Sequence, residues 1–489
     1  MPMPGQNAYK VEAARFNRWL VQERRLRKSE PPRRLPKTTM SGQFGDGGSM
    51  KGKRVAMAGV AAVLIALGAA YGRCVAHAGE PTSSPVNGTF ATGTGTDTAA
   101  VTRGAKLAAV GDCVTCHTAT GGEPLAGGLP LQTPFGVVYS TNITPDDETG
   151  IGRWSLDEFA RAMRLGVSRD GHLLYPAFPY PHFTHMSDAD MASLYAWLMS
   201  RDPVNARAPH NDLIFPLGFR PIIAVWNLLY LRTGSEAAPS SSEAPDIARG
   251  RYLVESLGHC GACHTPLDHL GAERRDHALE GGTIEGWDAP ALTDLASRPT
   301  PWTQAQLVSY LRTGLASAHG AAAGPMRPVT RMLADASASD VEAIAAYLLA
   351  LAPGSQDVAG HAVASPAASA ARVPVANVSG NGANLFAAAC ASCHAEGAPM
   401  SSGSTGAPLS LSTAVNADSP RNTVRIILDG IDWHESDAAP FMPAFAGTFT
   451  DAQIAELANY TRARFTARGA WPALDADAVA HFRKDGPPR

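Results

Sequence analysis

The sequence predicts an all-α protein made of three tandem helical units behind an N-terminal leader. Two observations carry that reading. One pentapeptide pattern, C-x-x-C-H, occurs three times and takes six of the seven cysteines. Each copy is flanked at matching offsets by the start signals and apolar stripes of amphipathic helices. Length and composition agree with it. A chain of 489 residues allows about three domains of roughly 150 residues each. With 45% hydrophobic residues, 7% aromatic residues, 47 glycines and 37 prolines it is loop-rich and soluble, which excludes a polytopic membrane protein.

The leader comes first, over residues 1–78. Residues 1–54 carry 13 Lys/Arg against 4 Asp/Glu, while the remainder carries 28 against 40, so a basic segment precedes an acidic body. An acidic body excludes nucleic acid as a partner, because a polyanion binder needs clustered Lys and Arg on its folded part. Lys51-Gly-Lys-Arg54, the uncharged run Val55 to Gly72 and the small residues of Ala76-His-Ala78 form the three regions of an export signal. Cleavage after Ala78 is expected, with a retained N-terminal anchor as the alternative reading. Arg73 stands where a lipidation signal needs a small residue, so Cys74 is read as a spare thiol. Met50 would serve as an ordinary start, and the 49 residues ahead of it have no place in a normal signal.

The pentapeptides are Cys113-Val-Thr-Cys116-His117, Cys260-Gly-Ala-Cys263-His264 and Cys390-Ala-Ser-Cys393-His394. A shuffled chain of this composition would hold roughly 0.003 of them. Two cysteines three residues apart lie on one face of a helical turn, so their sulfurs reach neighbouring edge positions of one flat macrocycle. The histidine that follows lies under the ring centre and gives iron an axial nitrogen. The expected cofactors are therefore three haem c groups, with His117, His264 and His394 as proximal ligands. A zinc knuckle would need four ligands per site, and a thioredoxin-like pair would not recur three times with His always next. Attachment of this kind takes place outside the bacterial cytoplasm, which the export signal matches.

Each unit begins with a helix: Arg103-Gly-Ala-Lys-Leu107, Arg249-Gly-Arg-Tyr-Leu253 and Asn381-Gly-Ala-Asn-Leu385 open about one helix length before the cysteines. Each closes with another. Ser187-x-x-Asp190, Ser339-x-x-Glu342 and Thr450-x-x-Gln453 mark the starts, and Leu194/Trp197, Ile344/Tyr347 and Leu457/Tyr460 give each closing helix an apolar stripe. The resulting division is 100–205, 246–352 and 381–467 for the units, with linkers at 206–245 and 353–380 and a polar tail at 468–489. Part of the first connection, Ile214 to Leu231, is apolar enough to dock, against a membrane surface, a partner subunit, or the first two units themselves.

This arrangement resembles the class I cytochrome c fold, in which first and last helices cross and the haem fills the space between them. The resemblance implies a distal ligand just ahead of the closing helix, usually methionine. Met442 in Pro440-Phe-Met-Pro fits the third unit, with Met400 too near its own motif. Met326 in Gly324-Pro-Met fits the second, with Met332 as its competitor. The first unit departs: Phe178 stands where the family loop commonly reads methionine, and phenylalanine cannot ligate iron. The candidates there are His182, Met186 and His185, or an open position.

Beyond the haem motifs, Leu129 to Pro145, Gly150 to Trp154, Arg169-Asp-Gly171, Leu174 to Tyr180, Leu257 to Pro266, Glu280-Gly-Gly282, Glu285-Gly-Trp287 and Met442-Pro-Ala-Phe445 resemble the triheme cytochrome c subunit of bacterial membrane-bound dehydrogenases. The resemblance covers residues 100 to 465. It implies a periplasmic electron-transfer subunit on the membrane's outer side, without a catalytic site of its own. Electrons would come from a separate flavin, quinoprotein or molybdenum dehydrogenase subunit and go to quinone or a terminal oxidase. The Phe178 loop is similar to partners of molybdenum hydroxylases and aldehyde oxidisers. Two other readings stay open: a multihaem peroxidase using the first haem, and an oxidase-attached cytochrome. No glycine-rich dinucleotide fingerprint follows a strand, and the exported length leaves no room for a further cofactor domain.

Overall fold

A computed structural model describes residues 97–234, 243–352, 380–395, 398, 408–431 and 442–486. The leader with Cys74, and Met400, lie outside the described residues.

The glycine in each opening helix explains how a unit is built. Helix α1 (Thr98–Val110) crosses a closing helix so closely that a Cβ on Gly104 would stand 2.0 Å from the Ser193 carbonyl oxygen and 2.6 Å from Trp197 Cβ. In the second unit a Cβ on Gly250 would meet the Ala343 carbonyl at 2.0 Å and Tyr347 Cβ at 2.7 Å; in the third, Gly382 faces the Glu456 carbonyl at 2.5 Å and Tyr460 Cβ at 2.9 Å. Glycine and the opposing aromatic residue are thus the two halves of one contact, repeated in every unit. The residue before each glycine secures the crossing: Arg103 donates to Asp190 at 2.8 Å, Arg249 to Asp340 at 2.8 Å, and Asn381 to Glu456.

Within the first unit, α1 is followed by the short α2 (Cys113–Cys116), the strands β1 (Pro130–Thr133) and β2 (Gly136–Tyr139), α3 (Leu156–Leu165), the single turn α4 (Tyr180–Phe183) and the closing α5 (Asp188–Met199). Ser155 and Glu158 form a full capping box on α3, and Ser187 caps α5 by accepting from Asp190 N. A third strand, β3 (Asp212–Leu213), extends the sheet in the order β1-β2-β3. Helix α6 (Ile222–Tyr230) then lies on the unit through buried Ile223, Ala224 and Asn227, whose amide oxygen accepts from the Tyr180 hydroxyl at 2.6 Å. The apolar connection does pack between the first two units, since Trp226 Nε1 also donates to the Leu270 carbonyl at 3.0 Å. Only one of its faces is used this way.

The second unit repeats the plan with α7 (Pro245–Tyr252), continued by a π-helical turn over Leu253–Leu257, then α8 (Gly261–His264), the hairpin β4 (Gly282–Ile284) and β5 (Trp287–Ala289), and α9 (Gln304–Thr313). A two-residue hairpin, β6 (Leu315–Ala316) with β7 (Gly320–Ala321), leads to α10 (Met326–Leu333) and the closing α11 (Ala338–Ala350). Ser337, not Ser339, caps α11, because its side chain reaches Asp340 N at 3.1 Å. The third unit has α12 (Asn381–Ala389), α13 (Ala391–His394), α14 (Thr413–Asn416), α15 (Arg421–Asp429), α16 (Asp451–Phe465) and α17 (Ala476–Asp485). Two sequence expectations change. The described residues include seven short strands, all in loops between the helices, so the fold is helical with small hairpins. The supposed polar tail is part of the third core: Trp471, Leu474 and Val479 are buried, and Arg483 of α17 pairs with Asp451 at 2.6 Å.

The first two units share one continuous core, running from Leu107 through Trp197, Leu253 and Leu257 to Leu348. Tyr252 fastens it: its hydroxyl donates to Asp190 at 2.9 Å and accepts from Ser187 N at 3.1 Å. The third unit has its own core around Val424, Leu428, Ile454 and Leu457. It meets the second through the reciprocal bonds of Asn422 with the Asp288 backbone at 2.8 and 2.9 Å, the Arg421–Asp288 pair at 3.2 Å and Arg425 over the Trp287 ring.

Candidate haem centres

The cysteine pairs sit where each opening helix ends. The chain turns sharply at that point: Asp112 (φ 50) and His259 (φ 37), each immediately ahead of a first cysteine, are non-glycine residues in the left-handed region. One short helical turn then presents Cys113 with Cys116, Cys260 with Cys263, and Cys390 with Cys393. Burial pushes the Cys113, Cys116 and Cys260 thiols up to about 12 and those of Cys263 and Cys390 up to about 11. Such surroundings suit an uncharged sulfur, as in a thioether, better than a metal-bound thiolate.

The histidines of the motifs carry the most specific geometry. His117 Nδ1 lies 2.6 Å from the Thr141 carbonyl oxygen, and His264 Nδ1 lies 2.7 Å from that of Pro290. A carbonyl only accepts, so Nδ1 holds the ring proton and Nε2 is left with its lone pair for a metal. Burial lowers the pKa of His117, His264 and His394, which keeps all three rings neutral as ligation requires. Among the described residues no group of three or more His, Cys, Asp and Glu is assembled to hold a bare metal ion. In the second unit, moreover, Trp302 and His319 stack 3.6 Å apart, and Trp302 Nε1 and His319 Nε2 are buried without a hydrogen-bond partner among the described residues. Ring nitrogens of this kind suit the carboxylate edge of a porphyrin. The residues present therefore fit haem c.

The distal candidates divide. Met326 opens α10, half-buried against the shared core, and Met332 lies further along the same helix. Met442 pairs with Ile431 through two backbone hydrogen bonds of 2.8 Å and packs on the third core. In the first unit Met186 is almost fully buried in the shared core, where Phe178 packs beside Phe183. His182 is engaged elsewhere. Its Nε2 lies 2.6 Å from Glu273 Oε1 and its Nδ1 2.8 Å from the Glu255 carbonyl, both in the second unit, so as placed it has no free lone pair. His185 Nδ1 donates to the Gly234 carbonyl at 2.9 Å.

The first two cysteine motifs are brought together. His259 Nε2 lies 3.3 Å from the Gly111 carbonyl, Phe183 meets the His259 ring edge-on at 5.6 Å, and a Cβ on Gly111 would stand 3.0 Å from Leu257. His182 leans on the second motif, 3.1 Å from where a Gly261 Cβ would be. Sequence reasoning missed these cross-unit contacts and the Thr141 and Pro290 carbonyls, because main-chain acceptors leave no residue-type signature.

A cytochrome c family model matches residues 101–202 and again 247–352, and one described as cytochrome c oxidase, cbb3-type, subunit III, matches residues 379–460. The chain is 45% identical over 379 residues to a nicotinate dehydrogenase subunit of Pseudomonas putida, which covers 77% of this chain and 31% of that longer protein. It is 39% identical over 402 residues to the gluconate 2-dehydrogenase cytochrome c subunit of Pantoea cypripedii, covering 79% of this chain and 90% of the relative. The fructose dehydrogenase cytochrome subunit of Gluconobacter japonicus is 36% identical over 409 residues, with 79% and 83% covered. With paired thiols, Nε2-directed imidazoles and this similarity in hand, the chain belongs to the cytochrome c subunits of dehydrogenases.

Proposed function

We propose that the chain is exported to the periplasmic side of the inner membrane and binds three haem c groups. There it relays electrons from a separate dehydrogenase subunit to quinone or a terminal oxidase. The observation that carries this reading is the pair of Nδ1-to-carbonyl bonds at His117 and His264, which fix the tautomer an axial ligand needs. Each bound haem c supplies a one-electron iron couple. The polypeptide's part is to hold it. Cys113/Cys116, Cys260/Cys263 and Cys390/Cys393 would attach the three groups, and His117, His264 and His394, with Met326 and Met442 in the second and third units, would ligate their irons. For the first, burial of Met186 and the engagement of both His182 nitrogens favour Met186 over His182.

The contact between the first two motifs brings their attachment points together, while the Asp288–Asn422 and Trp287–Arg425 contacts join the third unit to the second. Similarity to the nicotinate dehydrogenase subunit makes a dehydrogenase of nicotinate or a related heteroaromatic acid the first candidate donor. Purifying the exported chain with its native partner tests the reading. The expected material retains its colour through acid-acetone extraction, carries three macrocycle mass increments and co-isolates with a dehydrogenase catalytic subunit. A high-spin haem with peroxidase turnover and no such subunit would overturn it.

A further inference from the structure

Seven large hydrophobic side chains stand exposed among the described residues, and all seven come from two short stretches: Ile214, Phe215, Phe219, Leu228 and Leu229 from the connection, and Leu267 and Leu270 from the loop after the second motif. Phe215 is 96% exposed. The stretches form one face. The Ile214 amide donates to the Phe135 carbonyl at 3.0 Å, a Cβ on Gly271 would lie 2.9 Å from the Phe135 ring, and Trp226 donates to Leu270. A soluble monomer seldom leaves such a patch uncovered.

Charge identifies what covers it. The body of the chain is acidic, but residues 214–234 include Arg220 and Arg232 and no acidic residue, and in residues 267–275 Arg274 and Arg275 stand against Asp268 and Glu273, the latter engaged by His182. Arg275, which donates to the Tyr230 carbonyl at 2.6 Å at the end of α6, lies close enough to Arg232 for the two like charges to repel. Aromatic and aliphatic side chains on one face, with arginines outnumbering carboxylates in its two stretches, match an anionic lipid interface. Among the described residues no helix is long and apolar enough to cross a membrane. We propose that the face formed by residues 214–231 and 267–275 docks the protein on the surface of an anionic phospholipid bilayer.

The test is hydrogen–deuterium exchange of the full haem-loaded chain with vesicles of phosphatidylcholine alone or with roughly 30 mol% phosphatidylglycerol. Local protection is read because a retained leader would hold every variant on the vesicle. Peptides from 214–231 and 267–275 should gain protection with the anionic vesicles. A Phe215→Ser/Phe219→Ser chain should lose it, with about tenfold weaker partitioning for the mature form. Arg232→Glu should remove the preference for anionic lipid. Unchanged Soret and axial-ligand bands certify that each variant is folded. No protection with either vesicle would overturn the proposal, as would protection of the double variant equal to wild type. Protection produced by the dehydrogenase partner and not by vesicles would also overturn it, making the face a protein interface.

Discussion

The helix crossings give a prediction whose size can be worked from distances. Replacing Gly250 by alanine places a methyl group 2.0 Å from the Ala343 carbonyl oxygen and 2.7 Å from Tyr347 Cβ. Both neighbours belong to a helix backbone or to its first side-chain atom, so neither can swing away, and the helices must separate. Overpacking of this kind costs about 3 kcal/mol. Alanine returns about 1 kcal/mol of helix propensity. The net loss of about 2 kcal/mol lowers the melting temperature by about 4–8 °C for a unit pair of this size. Gly104→Ala, with the same 2.0 Å clearance from the Ser193 carbonyl, should behave alike. Because both glycines serve one shared core, both should shift the same calorimetric transition. Gly382→Ala, where the clearance is 2.5 Å, should shift a different transition by less. Gly447→Ala, with nothing within 4 Å, is the control. A Gly250→Ala protein that melts at or above the wild-type temperature would refute the crossing as described, and one transition moved equally by all three would refute the division of cores.

Three further outcomes follow from the interface between the first two units. Met186→Ala should abolish the thioether-to-iron charge-transfer band of one haem and lower its potential, whereas His182→Ala should leave all three ligand sets intact and lower stability, as paired spectroelectrochemistry and melting will show. Burial pulls the His182 pKa down, but the hydrogen bond and charge of Glu273 outweigh it, so the net shift is upward. The stability from this pair is therefore complete below the free imidazole value of about 6.5 and is lost as pH rises beyond it, and Glu273→Gln should flatten that fall in urea titrations. Tyr252→Phe removes a hydroxyl bonded to Asp190 and Ser187 N at once, at a cost of about 1–2 kcal/mol in the shared transition.

Much of this was legible in the residue string. The pentapeptides mark the short helical turns that present the cysteine pairs, and Gly104, Gly250 and Gly382 stand within the opening-helix patterns. Their purpose was not visible, because a close approach is a property of two helices and the string shows one at a time. The start of α11 was misplaced by two residues because both Ser337 and Ser339 have capping chemistry, and only geometry decides which hydroxyl reaches Asp340 N. The segment 468–489 reads as polar because its apolar residues are sparse, yet Trp471 and Val479 suffice to bind it to the third core. His182 stood out by residue type in a ligand loop; that it reaches across to Glu273 depends on how two units dock, for which local sequence has no code.

The merging of the first two cores bears on how such a chain can be shortened, duplicated or inherited. Severing it near residue 240 would strip Leu253 and Leu257 from Leu107 and Val110 and leave greasy wounds on both halves. Severing it after Ala352 forfeits the contacts around Asp288, Asn422 and Trp287 and the bonds of Thr413 to the His319 carbonyl. The molecule is thus divisible as two and one, never as three equal beads, and a chain that loses its last unit keeps the shared core whole.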